Sequence, residues 1–440
     1  MAIGVGLLGL GTVGAGVASI LASPEGRHPL VRELALKRVA VRDPARPRSV
    51  ALDPALLSDD PRAVVEDPAV EIVVEVMGGL EPARSLILQA IAAGKPVVTA
   101  NKAVIARHGE EIAAAAAQRG VYVLIEAAVG GGIPIIEPLK QSLGGNRIQR
   151  VSGIINGTTN YILSRMADEG ADYGAVLADA QRLGYAEADP AADVEGHDAA
   201  DKIAILAALA FGGPVPRAAI ATEGIDRLAA RDVGYAAQLG YVVKLLAVAE
   251  RVDGLVGADA VPGGELPLDV RVHPTLLPRH HPLAGVHGVN NAILVEGDPV
   301  GRVMFFGPGA GAGPTASAVV ADILNIAGIR QVGDVGAGLD PLLAAGSWRR
   351  CALVDGSLGR HRNYVRLRSR DEAGVIGKIG TAFGAAGVSI QSIVQYESNS
   401  GSAEIVVITH DVLEADFRRA LAVITALEEV ETVAACLRTL

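Results

Sequence analysis

Aromatic side chains make up only 3% of the 440 residues, too few to build the stacked platform on which bases are held. Basic residues are outnumbered: 39 Lys and Arg against 49 Asp and Glu leave a net charge of −10. That balance argues against a protein that tracks the phosphates of a nucleic acid. Only two cysteines occur, Cys351 and Cys436. They form neither a closely spaced framework nor a metal pair, and they fit a reducing compartment. The apolar start MAIGVGLLGLGTVG lacks the basic residues that open a secretion signal. The apolar stretch Ile203–Val215 is too short and glycine-broken to cross a bilayer. The expectation is a cytoplasmic, enzyme-like chain without nucleic-acid or membrane partners.

Lysine is also scarce. Only Lys37, Lys95, Lys102, Lys140, Lys202, Lys244 and Lys378 occur, and arginine supplies the remaining side-chain cations. One lysine closes an acidic segment, GYAEADPAADVEGHDAADK at Gly184–Lys202, with six carboxylates at Glu187, Asp189, Asp193, Glu195, Asp198 and Asp201. Lysine can surrender its proton where its surroundings lower its pKa, whereas arginine effectively never does. The segment therefore reads as a site that binds a small cationic substrate and moves a proton. Taken alone it reads more readily as a solvated acidic loop entering a helix, with Asp198 and Lys202 an ordinary i,i+4 pair of a kind common on helix surfaces.

What is present in abundance is apolar residues, 50% of the chain, and its length implies two or three domains. Ile3–Leu8 reads as a buried strand and is followed by Gly9-Leu10-Gly11-Thr12-Val13-Gly14 and a helix to about Leu21. This is G-x-G-x-x-G between strand and helix, the context it needs. Gly9 permits the tight turn, Gly11 the approach of a pyrophosphate, and Gly14 close helix–strand packing. The helix start offers N–H groups to phosphate.

Strands at 34–41, 72–76, 97–99 and 121–125 alternate with helices at 82–93 and 110–119, predicting a parallel, doubly wound sheet. Ligands of such sheets sit at the carboxyl ends of the strands, where Gly78-Gly79 and Thr99-Ala100-Asn101-Lys102 fall. Lys102 is thereby placed near the nicotinamide half of a dinucleotide, although a lysine at any helix start would look similar.

Beyond about Glu126 the pattern changes. Ala127–Ile136, AAVGGGIPII, is a glycine-rich turn whose carbonyls could hold a cation, or else a flexible corner between domains. Val151–Ile155 reads as a strand, Asn156–Asn160 as a polar turn and Tyr161–Met166 as a helix start. Thr159 or Asn160 could serve only as an N-cap. The last 80 residues read as a separate unit. Strands at 364–368, 389–395, 404–409 and 430–437 and helices at 375–386 and 412–427 give the βαββαβ order of a ferredoxin-like fold.

With these segments in place the chain resembles the homoserine dehydrogenases, and the likeness runs over essentially its whole length. It is carried by GLGTVG (9–14), TANKA (99–103), EAAVGGGIPII (126–136), NGTTNYIL (156–163), the acidic segment 184–202 and GPGAGAGPTASAV (307–319). Residues 364–395 resemble an ACT domain, a small amino-acid-sensing module. Its ligand loop here is Asp371-Glu372-Ala373-Gly374, without the proline of the frequent D-x-P-G pattern. The resemblance implies a dinucleotide-binding Rossmann domain at 1–126, completed by about 307–330, and an α+β catalytic and dimerisation domain at 127–306. A linker at 331–362 and the ACT domain at 363–440 complete it.

The implied reaction is the reversible reduction of L-aspartate 4-semialdehyde to L-homoserine with NADP, NAD being a usable second. In that reading Lys202 donates the proton, Lys102 lies close to cofactor and substrate, and Asp198 holds Lys202. Mutual repulsion of the two lysines would lower at least one pKa. Glu187 and Asp193 suit the substrate ammonium, and Asn156, Gly157 and Thr158 its other polar atoms. Gly9 to Gly14, Arg42, Gly78, Lys102 and Gly313 suit the cofactor. Arg42, with Arg46 and Arg48, surrounds Asp43 just beyond the second strand, which favours NADP over NAD. Glu126 with the carbonyls of Val129, Gly131 and Ile133 matches a monovalent-cation site, taken as sodium.

The ACT module implies feedback by L-threonine and a homodimer or higher assembly. Two readings compete. An aspartate-semialdehyde dehydrogenase needs a thiolate nucleophile, and neither cysteine lies near a cofactor motif. A non-catalytic nucleotide-binding sensor with an ACT module would have been favoured by loss of Lys202 or Glu187, and both are present.

Overall fold

A computed structural model describes residues 2–252, 265–331, 351–397 and 401–439. Positions 332–350 of the expected linker lie outside the described residues. The chain opens with β1 (Ile3–Leu8), α1 (Thr12–Ala22), β2 (Leu34–Ala40), β3 (Leu57–Ser58), α2 (Arg62–Glu66), β4 (Ile72–Glu75), α3 (Ala83–Ala92), β5 (Val97–Thr99), α4 (Lys102–Arg119) and β6 (Val123–Leu124). The strands form one sheet in the order β3-β2-β1-β4-β5-β6, and every pairing in it is parallel. Both faces are covered, so β1 is apolar and buried along its whole length instead of alternating. Val5, Leu7, Val17 and Val74 build the core on one face, and Leu8, Val73, Ile87 and Val104 that on the other.

Helix α4 differs from expectation. It starts at Lys102, eight residues before the predicted 110, because the Asn101 side chain accepts the Val104 N–H and caps it. Gly120, with φ +70, ends it in the left-handed conformation.

The chain continues with β7 (Arg147–Ile154), α5 (Gly157–Glu169), α6 (Tyr173–Arg182), α7 (Ala191–Val194), α8 (His197–Phe211), β8 (Ala221–Thr222), α9 (Ala230–Gln238), β9 (Tyr241–Arg251), β10 (Leu266–Pro278), β11 (Asn290–Asp298), β12 (Gly301–Pro308) and α10 (Ala312–Gln331). Residues 156–160, expected as a turn, are instead the cap and first turn of α5. The cap is Asn156, which accepts the Thr159 N–H, and not Thr159 or Asn160. Helix α10 is long and apolar enough, by length and composition, to cross a bilayer. Its apolar face is spent elsewhere: Ala316, Val319, Ile323 and Ile326 pack into the core beside α1. The carboxy-terminal part is β13 (Cys351–Leu353), β14 (Arg360–Arg370), α11 (Val375–Ala385), β15 (Ile390–Glu397), β16 (Ser402–Thr409), β17 (Val412–Leu413), α12 (Glu414–Thr425) and β18 (Val430–Thr439).

Contacts divide the chain into two compact units. One comprises residues 1–151, 201–219 and 290–351, and the other 152–200, 220–289 and 352–440. The expected boundary at 126 thus falls inside the first unit. In the second, the order β18-β14-β16-β15 is that of a βαββαβ sheet. This module is not the separate body expected, because β18 also pairs in parallel with β10, Thr275 opposite Arg438 and Leu276 opposite Thr439.

Candidate active site

In the first unit the β1–α1 turn is shaped by its glycines. Gly9 has φ +103, and a Cβ on Gly14 would stand 2.3 Å from the Gly9 carbonyl oxygen. Gly11, the N-cap of α1, gives its first turn no side-chain acceptor, and nothing lies within 4 Å of a Cβ built there. An uncapped helix start beside open space fits the pyrophosphate of a dinucleotide.

The loop after β4 turns through Gly78 and Gly79, with φ +78 and +77. Lys102, half-buried, is the first residue of α4. Lys202 lies on α8 and is 9% exposed. The residue before it, Asp201, accepts from Arg107 of α4 at 3.0 Å and from Arg217 at 2.6 Å. The two helices that carry the candidate lysines are therefore tied by an ion pair between the exposed Arg107 and the buried Asp201. In the sequence Asp201 is only one acid among six, since its partner Arg107 is 94 residues away.

The returning segment GPGAGAG explains itself mainly by crowding. A Cβ on Gly16 would lie 2.5 Å from the Ala312 oxygen, and one on Gly131 would lie 2.3 Å from the Gly309 oxygen. Gly313, in contrast, faces open space. Arg42 is exposed just beyond β2. The neighbouring Asp43 carboxylate accepts the Ala45 N–H at 2.9 Å.

At the glycine-rich turn the Glu126 carboxylate is buried and accepts three backbone N–H groups, from Ile135 at 2.6 Å and from Ile136 and Glu137 at 2.9 Å. The Glu126 N–H donates to Asp322, whose pKa burial pushes well above the ordinary carboxylate value. Gly130 and Gly131, with φ +75 and +58, turn the chain past Val129 and Ile133. With three backbone donors on it, the Glu126 carboxylate is committed to holding the turn. Among the described residues no three His, Cys, Asp or Glu cluster as metal ligands.

In the second unit one asparagine organises the acidic segment. Asn156 Nδ2 donates to Asp193 at 2.7 Å and to Asp198 at 3.0 Å, while its Oδ1 accepts the Thr159 N–H at 2.9 Å. The Thr158 hydroxyl lies 3.1 Å from the other Asp193 oxygen and 2.7 Å from the Tyr185 carbonyl. Four of the predicted residues, Asn156, Thr158, Asp193 and Asp198, thus form one hydrogen-bonded group. Gly157 has a packing reason of its own: a Cβ there would stand 2.7 Å from the Val289 oxygen. The Glu187 side chain is exposed, and its carbonyl accepts from Gln181.

Lys244 belongs to no motif in the sequence. It is 1% exposed on β9 and donates to the Asn160 side chain at 3.0 Å and to the Val286 carbonyl at 2.5 Å. Burial lowers its pKa to about 8. Its scarcity as a residue type was the signal that could have found it.

Comparison with known proteins decides between the readings. A homoserine dehydrogenase family model matches residues 134–324 and the family's NAD-binding domain model matches residues 9–126. An ACT domain model matches residues 363–429. The homoserine dehydrogenase of Synechocystis is 58% identical over 440 residues, covering 100% of both chains.

The chain belongs to the homoserine dehydrogenase family. As a member it is an NAD(P)-dependent oxidoreductase of amino-acid biosynthesis, and the sensor alternative falls away. The solved homoserine dehydrogenase of Thiobacillus denitrificans has the same fold, with a TM-score of 0.88 at 43% identity over 100% of this chain and 98% of that one. A hyperthermophilic archaeal homoserine dehydrogenase, solved in complex with NADPH, aligns with a TM-score of 0.60 at 27% identity. It covers 75% of this chain and 98% of its own.

Proposed function

We propose that the chain reduces L-aspartate 4-semialdehyde with Lys202 as proton donor to the nascent alkoxide. What carries this reading is a lysine kept 9% exposed on α8, one turn after Asp198, which is 8% exposed. A buried ammonium must be met by polar groups. A bound nicotinamide cofactor supplies the reducing equivalent. Lys202 supplies the proton, and Asp198 orients Lys202 across one helical turn. Lys102 adds positive charge that favours the developing oxyanion. The exposed Glu187 carboxylate receives the substrate ammonium, with Asp193, Asn156, Gly157 and Thr158 completing the polar surface. Residues Gly9 to Gly14, Gly78 and Gly313 receive the cofactor.

The preferred cofactor in this reading is NADPH. Asp43 is occupied by the Ala45 N–H, Arg42 is exposed beside it, and the archaeal relative was solved with NADPH. A monovalent cation, sodium by family resemblance, would be held by the carbonyls of Val129, Gly131 and Ile133 at Glu126, where it would stiffen the turn. Met304 and Phe306 are 41% and 55% exposed on β12, an apolar edge that favours a homo-oligomer. L-Threonine acting at the ACT loop, and a cytoplasmic setting, complete the proposal.

The test is oxidation of NADPH or NADH on adding aspartate semialdehyde, followed by the loss of reduced-cofactor absorbance. NADPH is expected to have the higher kcat/KM, and Arg42→Ala to lower it for NADPH alone. No oxidation of either cofactor sinks the reaction assignment. Equal kcat/KM values with no effect of Arg42→Ala sink the preference.

A further inference from the structure

At the carboxyl ends of β4 and β5 lies a group of buried polar side chains that has no part in the proton transfer described above. Glu75, the last residue of β4, is 0% exposed. A carboxylate so far from water must be met by hydrogen bonds. Its Oε1 accepts the Met77 N–H at 2.8 Å, and its Oε2 accepts the Thr99 hydroxyl at 2.7 Å. Thr99, also 0% exposed, in turn accepts the Asn101 N–H on its oxygen at 3.0 Å. Asn101 closes the circuit: its Nδ2 donates to the Gly79 carbonyl at 2.8 Å, and its Oδ1 accepts the Val104 N–H at 3.3 Å.

The direction of these bonds is fixed by chemistry. A carboxylate only accepts, so the threonine hydroxyl must give its proton to Glu75 and keep a lone pair for the Asn101 N–H. The ring therefore tolerates one arrangement of donors. It clamps two short loops together, one turning through the left-handed Gly78 and Gly79 and one that opens α4 at Lys102. Neither loop has a regular ladder to hold it, since β4 and β5 end at Glu75 and Thr99.

We propose that Glu75, Thr99 and Asn101 are positioning residues, a buried hydrogen-bond ring that holds the Gly78–Gly79 turn and the Lys102 helix start in the geometry that receives the cofactor. This rests on the reading that Gly78 and Lys102 face the cofactor. The ring acts on the cofactor side of the reaction, so its loss separates kinetic constants. Cofactor affinity and kcat fall, whereas KM for the semialdehyde, set by Glu187 and the Asn156 group, moves little.

The experiment uses the full-length protein with Thr99→Val, Thr99→Ser and Glu75→Gln. Valine keeps the volume and removes the hydroxyl, whereas serine keeps the hydroxyl and removes a methyl group. Glutamine replaces one carboxylate oxygen by an amide NH2, a donor, where two acceptors are needed, so one proton in the ring loses its acceptor. Three measurements are made: NADPH dissociation by fluorescence titration, kcat and KM with aspartate semialdehyde, and amide exchange at Gly78–Leu80 and Lys102–Val104 without ligand.

Thr99→Val is expected to weaken NADPH binding about tenfold, lower kcat by a similar factor and speed exchange in both loops. KM for the semialdehyde should stay within about twofold, and Thr99→Ser should remain within about threefold of the parent in every constant. Unchanged NADPH affinity and exchange in Thr99→Val overturns the proposal, as does a Thr99→Ser variant as impaired as Thr99→Val, which would make the effect one of packing. Should Thr99→Val fail to fold, Glu75→Gln decides by the same two readouts. Titration and exchange need no turnover, so a parent protein inactive on the semialdehyde would count against the assigned reaction and leave the ring to its own result.

Discussion

Lys202 and Asp198 occupy the first two turns of α8, both below a tenth exposed. Such a pair can serve stability or chemistry, and one substitution separates the two. Lys202→Ala is expected to lower turnover by roughly 10²–10⁴-fold, the range for loss of a general acid–base group, while NADPH affinity by fluorescence stays within about twofold. A variant that keeps most of its kcat ends the proton-donor assignment.

Lys244 gives a second prediction, in stability. Burial lowers its pKa to about 8, below the 10.5 of an unfolded lysine. The unfolded chain therefore holds the proton more tightly between those values, and stability is full above about 10.5 and declines as pH falls toward 8. The size is roughly 3 kcal/mol at most, at 1.36 kcal/mol per pKa unit. Burial raises the pKa of Tyr364, which acts oppositely, stabilising below the ordinary tyrosine pKa and losing that contribution as pH rises. The comparison must therefore be made against Lys244→Met. Urea melts from pH 7.5 to 10 should show a parent stability that rises relative to the variant. Parallel curves would mean that Lys244 keeps an ordinary pKa.

At the scale of elements, what the sequence made legible was what depends on near neighbours. Buried parallel strands read as unbroken apolar runs, and the β1–α1 turn announced itself by three glycines. Elements whose start depends on one cap were misplaced. Helix α4 begins at Lys102 because Asn101 caps it, and α5 begins at Gly157 because Asn156 does. In both, a polar residue that caps a helix looks in sequence like a polar residue of a turn. The Asn156 group was legible only as a list of candidates, since its bonds reach 37 and 42 residues along the chain.

The start of α5 also carries a steric demand. A Cβ on Gly157 would stand 2.7 Å from the Val289 carbonyl oxygen. Gly157→Ala should therefore destabilise the protein by about 1–3 kcal/mol, the usual cost of forcing a methyl into a filled site. It should also lower kcat by displacing Asn156 and its two carboxylates. A denaturant midpoint equal to that of the parent would mean that the helix start yields without strain.

At the scale of the whole molecule, the ACT module is firmly joined within its own compact unit. Besides the β18–β10 pairing, Arg366 of β14 is buried between Asp232 of α9 at 2.7 Å and Glu404 of β16 at 3.1 Å. Tyr235 of α9 donates to Glu404 and stacks on Tyr396 of β15, ring centroids 4.5 Å apart. These contacts span 134 and 169 residues of sequence, which is why no local pattern revealed them.

They also bear on how threonine feedback is tested. Removing everything after Arg362 would strip a strand from β10 and uncover Asp232 together with the face of α9 that packs on β14. Loss of inhibition in such a truncation would report damage as readily as regulation. A point change in the effector loop is cleaner. Asp371 is exposed, its carboxylate accepts the Gln395 amide at 2.9 Å, and Gly374, with φ +94, opens α11 with no side-chain cap. Free N–H groups at that start can take a carboxylate, and Asp371 can face an ammonium. Threonine at millimolar concentration should inhibit the full-length protein, and Asp371→Ala should raise the inhibitory concentration about tenfold with kcat unchanged. Coupling is reciprocal, so saturating NADPH and substrate analogue should shift threonine affinity by the same factor that threonine shifts theirs. Indifference of the full-length protein to millimolar threonine would remove the regulatory proposal while leaving the catalytic one standing.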